Sequence, residues 1–409
     1  MKKSEFYRRA RTDLPGPLTG VRVLEATTTW AGPMCSCIFA DLGANVIKAE
    51  LPGGEVARHV PPFLPGGQRS LSFMHTTVNR NKRSICLDLR RDEGREVFRR
   101  LVSKSDVVVE NFRPGRMARW GLGYEDLREL KPDIVYVSIS GYGQFGASHD
   151  QVGYDPMAQA ASGYISLNGE PKGAPVKSPT YIADDMAGLH GAIGALAALR
   201  HRDQTGEGQH IDVALLDTLL FQSNGYLTLG ALGAPPQRMG SQFYISAPTN
   251  VYRCRDGYVM AGILLDSHWK TLACLLERPE LADHSDYATN RARVAHREEV
   301  NALLESWIAP RSVEEVLSVF KAEGLAAAPV RSYAEAARDP HVLERDMLQL
   351  TRQEDGHEAP VTGPAAKFSR TPTRVRSGAP ALGAHSDEIL AEHGFGEEER
   401  RRLRDAGVI

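Results

Sequence analysis

The sequence predicts an α/β protein, a doubly wound parallel sheet followed by a smaller α+β domain. Two observations carry this. The first two hundred residues alternate short β-branched runs with helical patterns, the signature of strand–helix units packed into a parallel sheet. A change of composition follows "DTLLFQSNGYLTLGALGAPPQRMG", where Gly and Pro cluster, and beyond it a strand pair precedes several helices.

Five strands are expected in order: "GVRVLEA" (20–26), "ANVIKAE" (44–50), "SICLDL" (84–89), "DVVVEN" (106–111) and "DIVYVSIS" (133–140). Between them "GPMCSCIFADLG", "RDEGREVFRRLVSKS" and "GYEDLRELKP" carry helical spacing. A dinucleotide-binding sheet would place a GxGxxG turn after its first strand. Here that strand runs into "TTTWAGPM", with one glycine, so NAD or FAD is not expected. "QTGEGQHIDVAL" reads as a turn feeding a further strand. In the middle block "NVYRCRDGYVMAGI" reads as two strands joined at Arg255-Asp256-Gly257. Helices over "DSHWKTLACLLERPE", "HREEVNALLESWIAPR" and "SVEEVLSVFKAEGL" follow. The remainder holds "RDPHVLERDML", a strand-like "PVTGPAAKFS" and two terminal helices.

A chain of 409 residues with 42% hydrophobic and 24% charged residues has room for a large core. A formal net charge of −2 leaves no global basic field for nucleic acid or an anionic membrane. The start, "MKKSEFYRRARTDLPG", lacks the apolar stretch of a signal peptide and reads as a loose or partner-wrapping arm. The apolar run "AGLHGAIGALAAL" is too short and too interrupted to span a bilayer, so a cytoplasmic protein is expected. Cys35, Cys37, Cys86, Cys254 and Cys274 are too few for a disulfide framework, and no second cluster closes a metal site around "MCSC".

The chemistry-bearing stretch is "PTYIADDMAGLHGAIGALAALRHRDQTGEGQ", where Asp184 and Asp185 meet an apolar helical run. Met186, Leu189, Ile193, Leu196 and Leu199 recur at helical steps and are expected to face the core. An Asp at such a point caps the first turn. Free N–H groups at a helix start also hold an anion, which leaves a nucleophilic carboxylate as the rival role. These residues alone do not choose between the two. The Gly/Pro loops "LPGGE" and "LPGGQ" read as turns. The cations of "NRNKRSICLDLRRDEG" read as a solvated rim or as phosphate partners.

Six stretches occur together in order: "PLTGVRVLEATTTWAGPMCSCIFADLGANVIKAE", "NRNKRSICLDLRRDEG", "DVVVENFRPGRMARWGLGYEDL", "SISGYGQFG", "IADDMAGLHGAIGALAALRHRDQTGEGQHIDVALLDT" and "PALGAHSDEILAEHGF". With them the chain resembles a class III CoA-transferase (the CaiB/BaiF, or formyl-CoA transferase, family) almost end to end. The resemblance implies a Rossmann-like large domain from residues 1–225 and 331–409, a small domain at 226–330, and an interlocked homodimer, with an unlike partner subunit as the variant. It implies acyl-CoA and a small carboxylic acid as substrates, with coenzyme A passing through as substrate and no bound cofactor. Counting back four residues from Gly188 makes Asp184 the catalytic residue and leaves Asp185 a capping or orienting role. CoA contacts are implied at Thr28, Thr29, Trp30, Ala31, Leu87, Arg90, Asn111, Phe112 and Arg119, with Tyr154 near the thioester.

Two departures redirect the substrate. Leu51 stands where the formyl-CoA enzymes carry a basic residue, and "GSQFYISAPTN" lacks their glycine run. An acid larger than oxalate is therefore expected, beside Trp30, Phe243 and Tyr244. A succinyl-CoA-dependent enzyme acting on a dicarboxylate or aryl-substituted succinate, similar to the benzylsuccinate transferases, fits this expectation. An aspartate with a reference pKa near 3.9 needs no base to ionise, which accounts for the missing Ser/His pair. The alternatives are an α-methylacyl-CoA racemase, whose "GHD" element here reads "GYD" at Gly153–Asp155, and a CoA-binding partner subunit.

Overall fold

The computed structural model describes residues 1–67 and 71–409; the loop "LPGGQ" ends at Gln68, outside the described residues. The chain divides into two compact units. The larger comprises residues 1–164, 177–227 and 340–409, the smaller residues 165–176 and 228–339.

In the larger unit, β1 (Arg22–Ala26) leads into α1 (Ala31–Asp41), then β2 (Asn45–Glu50) and β3 (Arg83–Cys86). Next come α2 (Asp92–Val102), β4 (Val107–Glu110), α3 (Tyr124–Leu130) and β5 (Val135–Ser140). The unit continues with α4 (Asp155–Ala161), α5 (Ile182–Thr205), β6 (Gln209–Ala214) and α6 (Leu215–Phe221). The six strands form one parallel sheet in the order β3-β2-β1-β4-β5-β6. The strand order reverses between β1 and β4, and ligands of open α/β sheets bind outside the carboxyl ends of the strands at such a point.

These strands are apolar on both sides because both faces are covered. On one face Val23, Val46, Val107, Val135 and Val213 pack against Cys35 and Phe39 of α1 and the alanines of α5. On the other Leu24, Ile47, Ile85 and Val108 meet Phe98 and Leu101 of α2. Ile389, Leu390 and Leu403 of the helices Ser386–Glu392 and Glu397–Asp405 join that second layer and help cover the sheet. The N-terminal arm is tied within its own chain: Lys3 pairs with Asp346 at 2.7 Å, and the Arg11 N–H donates to the Arg370 carbonyl at 2.7 Å.

Helix α5 departs from the expected pattern in two ways. Its buried face is made of small residues, Ala183, Ala187, Gly188, Gly191, Ala192, Ala195 and Ala198, with Leu199. Leu189 and Ile193, expected in the core, are exposed. Small residues let α5 lie close on α1: a Cβ built on Gly188 would sit 2.9 Å from Met34 Cβ and 3.1 Å from the Ala31 carbonyl oxygen. The helix is also longer than the apolar run suggests. Its 24 residues are long and apolar enough to cross a membrane by length and composition, but its small-residue face is buried in the sheet's core.

In the smaller unit β7 (Thr249–Arg253), β8 (Tyr258–Gly262) and β9 (Ala326–Pro329) form an antiparallel sheet. The Cys254 N–H donates to the Gly257 carbonyl at 2.8 Å, closing the hairpin turn where Arg255-Asp256-Gly257 predicts it. The helices Asp266–Leu275, Arg297–Ile308 and Val313–Ala322 pack Trp269, Leu304 and Phe320 against this sheet.

Candidate active site

The carboxyl ends of β1 and β4 meet through a reciprocal pair of hydrogen bonds. The Thr28 N–H donates to Asn111 Oδ1 at 2.8 Å, and Asn111 Nδ2 returns a bond to the Thr28 carbonyl at 2.8 Å. Gly32 makes this junction possible, since a Cβ there would lie 2.7 Å from Thr27 Cγ2 and 2.9 Å from Asn111 Cγ. Thr29 has a φ of +64°, a left-handed backbone that costs a non-glycine residue about 1–3 kcal/mol. Its N–H donates to Glu55 Oε2 at 2.7 Å, which holds it there.

Glu55 belongs to a buried network that the sequence reading missed. Lys48 Nζ lies 3.1 Å from Glu55 and 3.3 Å from Glu25, and bonds the Thr27 carbonyl at 3.1 Å. Lys82 Nζ reaches both Glu25 oxygens at 3.0 and 3.1 Å and the Asn79 side chain at 2.9 Å. His75 Nδ1 and Asn79 Nδ2 complete Glu55 at 3.0 and 3.1 Å. Burial alone would raise the Glu55 pKa, but Lys48 and His75 outweigh it and hold this carboxyl well below the usual range. Glu50, Glu55 and His75 offer ligand atoms within 4.8 Å of one another. Lys48 already occupies Glu55, and Arg58 binds Glu50 through two bonds of 2.8 and 2.7 Å, so the cluster reads as an ion-pair network.

The same stretch corrects the expected rim. Arg80 and Lys82 are buried and paired, Arg80 with Asp41 at 2.6 Å. Neither is a solvated cation or free to hold a phosphate.

The remaining expected CoA contacts fall into two groups. Leu87 and Phe112 share an apolar cluster with Leu51 and Trp120, the Phe112 and Trp120 rings meeting edge to face at 5.4 Å. Glu110, buried at the end of β4, accepts the Phe112 N–H at 2.9 Å and so fixes that turn. Arg119 is exposed, and Arg90, also exposed, lies against Asp88 at 2.7 Å. Tyr154 is exposed immediately before α4. Phe243 and Tyr244 belong to the smaller unit, where their carbonyls each accept a bond from Arg297 at 3.3 Å.

Asp184 and Asp185 occupy the first turn of α5, and neither caps it. The N-cap position is Tyr181, which makes no side-chain cap. Asp155 of the "GYD" element supplies that function from outside, its Oδ1 accepting the Ala183 N–H at 2.7 Å. Asp185 instead accepts the indole N–H of Trp30 at 2.7 Å, which joins the β1–α1 turn to α5. Trp30 packs against Tyr181 with ring centroids 5.1 Å apart and against Phe73 at 6.5 Å, an aromatic wall beside the aspartates.

Asp184 is not the ordinary carboxylate the sequence suggests. Burial first, then Asp155 and Asp185, push its pKa from 3.8 up to about 7. Among the described residues no cation pairs with Asp155, Asp184 or Asp185. A group so placed is more basic than a solvated aspartate, and strongly shifted carboxyls of this kind gather at reactive sites.

The family model for CoA-transferase family III matches residues 18–386. The chain is 39% identical to a succinate–glutarate CoA-transferase of Agrobacterium fabrum, over 93% of this chain and 97% of that one. It is 36% identical to the beta subunit of a succinyl-CoA–L-malate CoA-transferase of Chloroflexus aurantiacus, over 96% and 98%. A crystal structure of a CaiB/BaiF family protein from Brucella suis superposes with a TM-score of 0.82 at 36% identity, covering 93% of this chain and all of that one (100%). The chain belongs to CoA-transferase family III and is an enzyme of that class.

Proposed function

We propose that the protein transfers CoA from succinyl-CoA to a small dicarboxylate through a covalent aspartyl-CoA thioester on Asp184. The observation that carries this reading is the setting of Asp184, a half-buried carboxyl of raised basicity beside two further acids at the carboxyl edge of the sheet. Acceptors named in the relatives, glutarate and L-malate, support an aliphatic dicarboxylate ahead of an aryl-substituted succinate.

In this reading the Asp184 carboxylate attacks the thioester carbonyl and the C–S bond breaks, leaving a mixed anhydride and CoA thiolate. The thiolate attacks the aspartyl carbonyl and releases succinate. The acceptor carboxylate then repeats both steps in reverse, regenerating Asp184. No proton is gained or lost over the cycle, so no general base is required. The N–H groups of Ala183 and Asp185 are committed to Asp155 and to the Tyr181 carbonyl, so these two are not the oxyanion donors. The remaining implied CoA contacts keep their assigned roles, with half-buried Phe112 as an apolar seat for a flat ring and Leu87 buried in the cluster behind it. Coenzyme A enters as substrate, with no resident cofactor, and the site of action is the cytoplasm. We take the active form to be an interlocked dimer, in which a second copy covers the apolar face of exposed Leu189, Ile193 and Phe221. Relatives described as alpha and beta subunits support an unlike partner as the variant.

The test is a panel of acids (glutarate, L-malate and benzylsuccinate among them) offered with succinyl-CoA in deuterated water. The expected result is a new acyl-CoA from an aliphatic dicarboxylate, without deuterium at the α-carbon. Deuterium exchange without transfer would instead indicate the racemase. Transfer that appears only on adding a second, unlike chain would assign the partner-subunit role.

A further inference from the structure

Two side chains that the transfer chemistry leaves unassigned hold the entry to α5. Asp155 and Gln159 stand one turn apart on α4, which places them on one face. Asp155 is 3% exposed and Gln159 0%. Gln159 Nε2 donates to Asp155 Oδ2 at 2.6 Å and to the Thr180 carbonyl at 3.3 Å, while its Oε1 accepts the Ser178 N–H at 2.9 Å. The second oxygen of Asp155 takes the Ala183 N–H at 2.7 Å. Each partner demands the donor or acceptor it receives, so the orientation of the carboxamide is set by chemistry. The three bonds to backbone all fall between Ser178 and Ala183, and the next residue is Asp184.

We propose that Asp155 and Gln159 form a clamp that positions Asp184, with Asp155 acting as the cap of α5 and as a fixed charge beside the nucleophile. Neither touches the reacting atoms; both are positioning residues. Tyr181 provides no side-chain cap, so without Asp155 the Ala183 N–H is left without this partner beside the nucleophile. The charge acts directly, since Asp155 is the largest influence on Asp184 after burial, ahead of Asp185. Of the other titratable groups on elements packed around α5, Cys35 faces that helix at Gly191, Asp41 pairs with Arg80, His210 meets Ser138 and Asp217 is influenced by Asp212; none of them shifts Asp184.

This inference rests on Asp184 being the nucleophile, and its test separates the two. Two variants, Asp155→Asn and Gln159→Met, are first checked for retained CoA binding. In protein carrying 13C-labelled aspartate carboxyls, the Asp184 signal is assigned by its loss in Asp184→Asn and titrated without substrate. In Asp155→Asn its midpoint is expected to fall by about one unit or more, because a like charge is removed. Gln159→Met alters no charge; its kcat is expected to fall about tenfold or more with KM for succinyl-CoA little changed, the pattern of lost alignment. An unmoved midpoint in Asp155→Asn, or wild-type kcat in Gln159→Met, overturns the clamp. If Asp184→Asn stays active while the midpoint still moves, the clamp stands and the nucleophile is elsewhere.

Discussion

Two clusters of buried charge lie in the larger unit, and they are built on opposite rules. Around Glu55 every charge is answered: Lys48 stands between Glu25 and Glu55, Lys82 pairs with Glu25, and hydrogen bonds from Asn79 and His75 complete the set. At the start of α5 three carboxyls gather with hydrogen-bond donors but, among the described residues, no cation. The first arrangement lowers the pKa of its acid and the second raises it. A satisfied network rigidifies a fold, whereas an unbalanced one stores reactivity, and here the first holds the Thr29 turn beside the second.

The largest effect that would sharpen this contrast comes from removing a cation. Lys48→Met leaves Glu25 and Glu55 short of a partner in the interior, and breaking a buried pair in this way costs about 3–5 kcal/mol. Denaturant unfolding measures it. A loss well below this would show that the network is not the rigid half of the comparison.

The second prediction concerns the acidic side and has the opposite sign. The folded pKa of Asp184, about 7, lies above its ordinary value of 3.8. Folding therefore loses stability as pH rises through that window, and above it the full penalty remains. Asp184→Asn removes the penalty, so thermal unfolding without substrate should show the variant more stable than wild type by about 1–3 kcal/mol at pH 8. At pH 4 the two should nearly coincide. Equal stability at both pH values would break the comparison.

Much of the fold was legible because the central strands of a parallel sheet are apolar on both sides, and "DVVVEN" or "DIVYVSIS" announces itself. The α5 face was not legible. Counting large apolar residues selects Leu189 and Ile193, while close packing on α1 requires the Gly188 and Ala187 side. Glu25 and Lys48 are charges set among apolar residues in two strands. Their pairing depends on the β1–β2 register, which sets them side by side. Sequence pattern marks Asp155 only as the acid of a racemase element, and its bond to Ala183 spans 28 residues of chain. Local pattern places the two aspartates at a helix start, but the Trp30 partner of Asp185 is tertiary.

The most direct test of the central claim is the intact mass of the protein quenched after mixing with succinyl-CoA alone. The account predicts a gain of one CoA less one water, mapped by peptide analysis to Asp184, released by hydroxylamine and missing from Asp184→Asn. Full turnover with no such adduct, or an adduct on another residue, would contradict it.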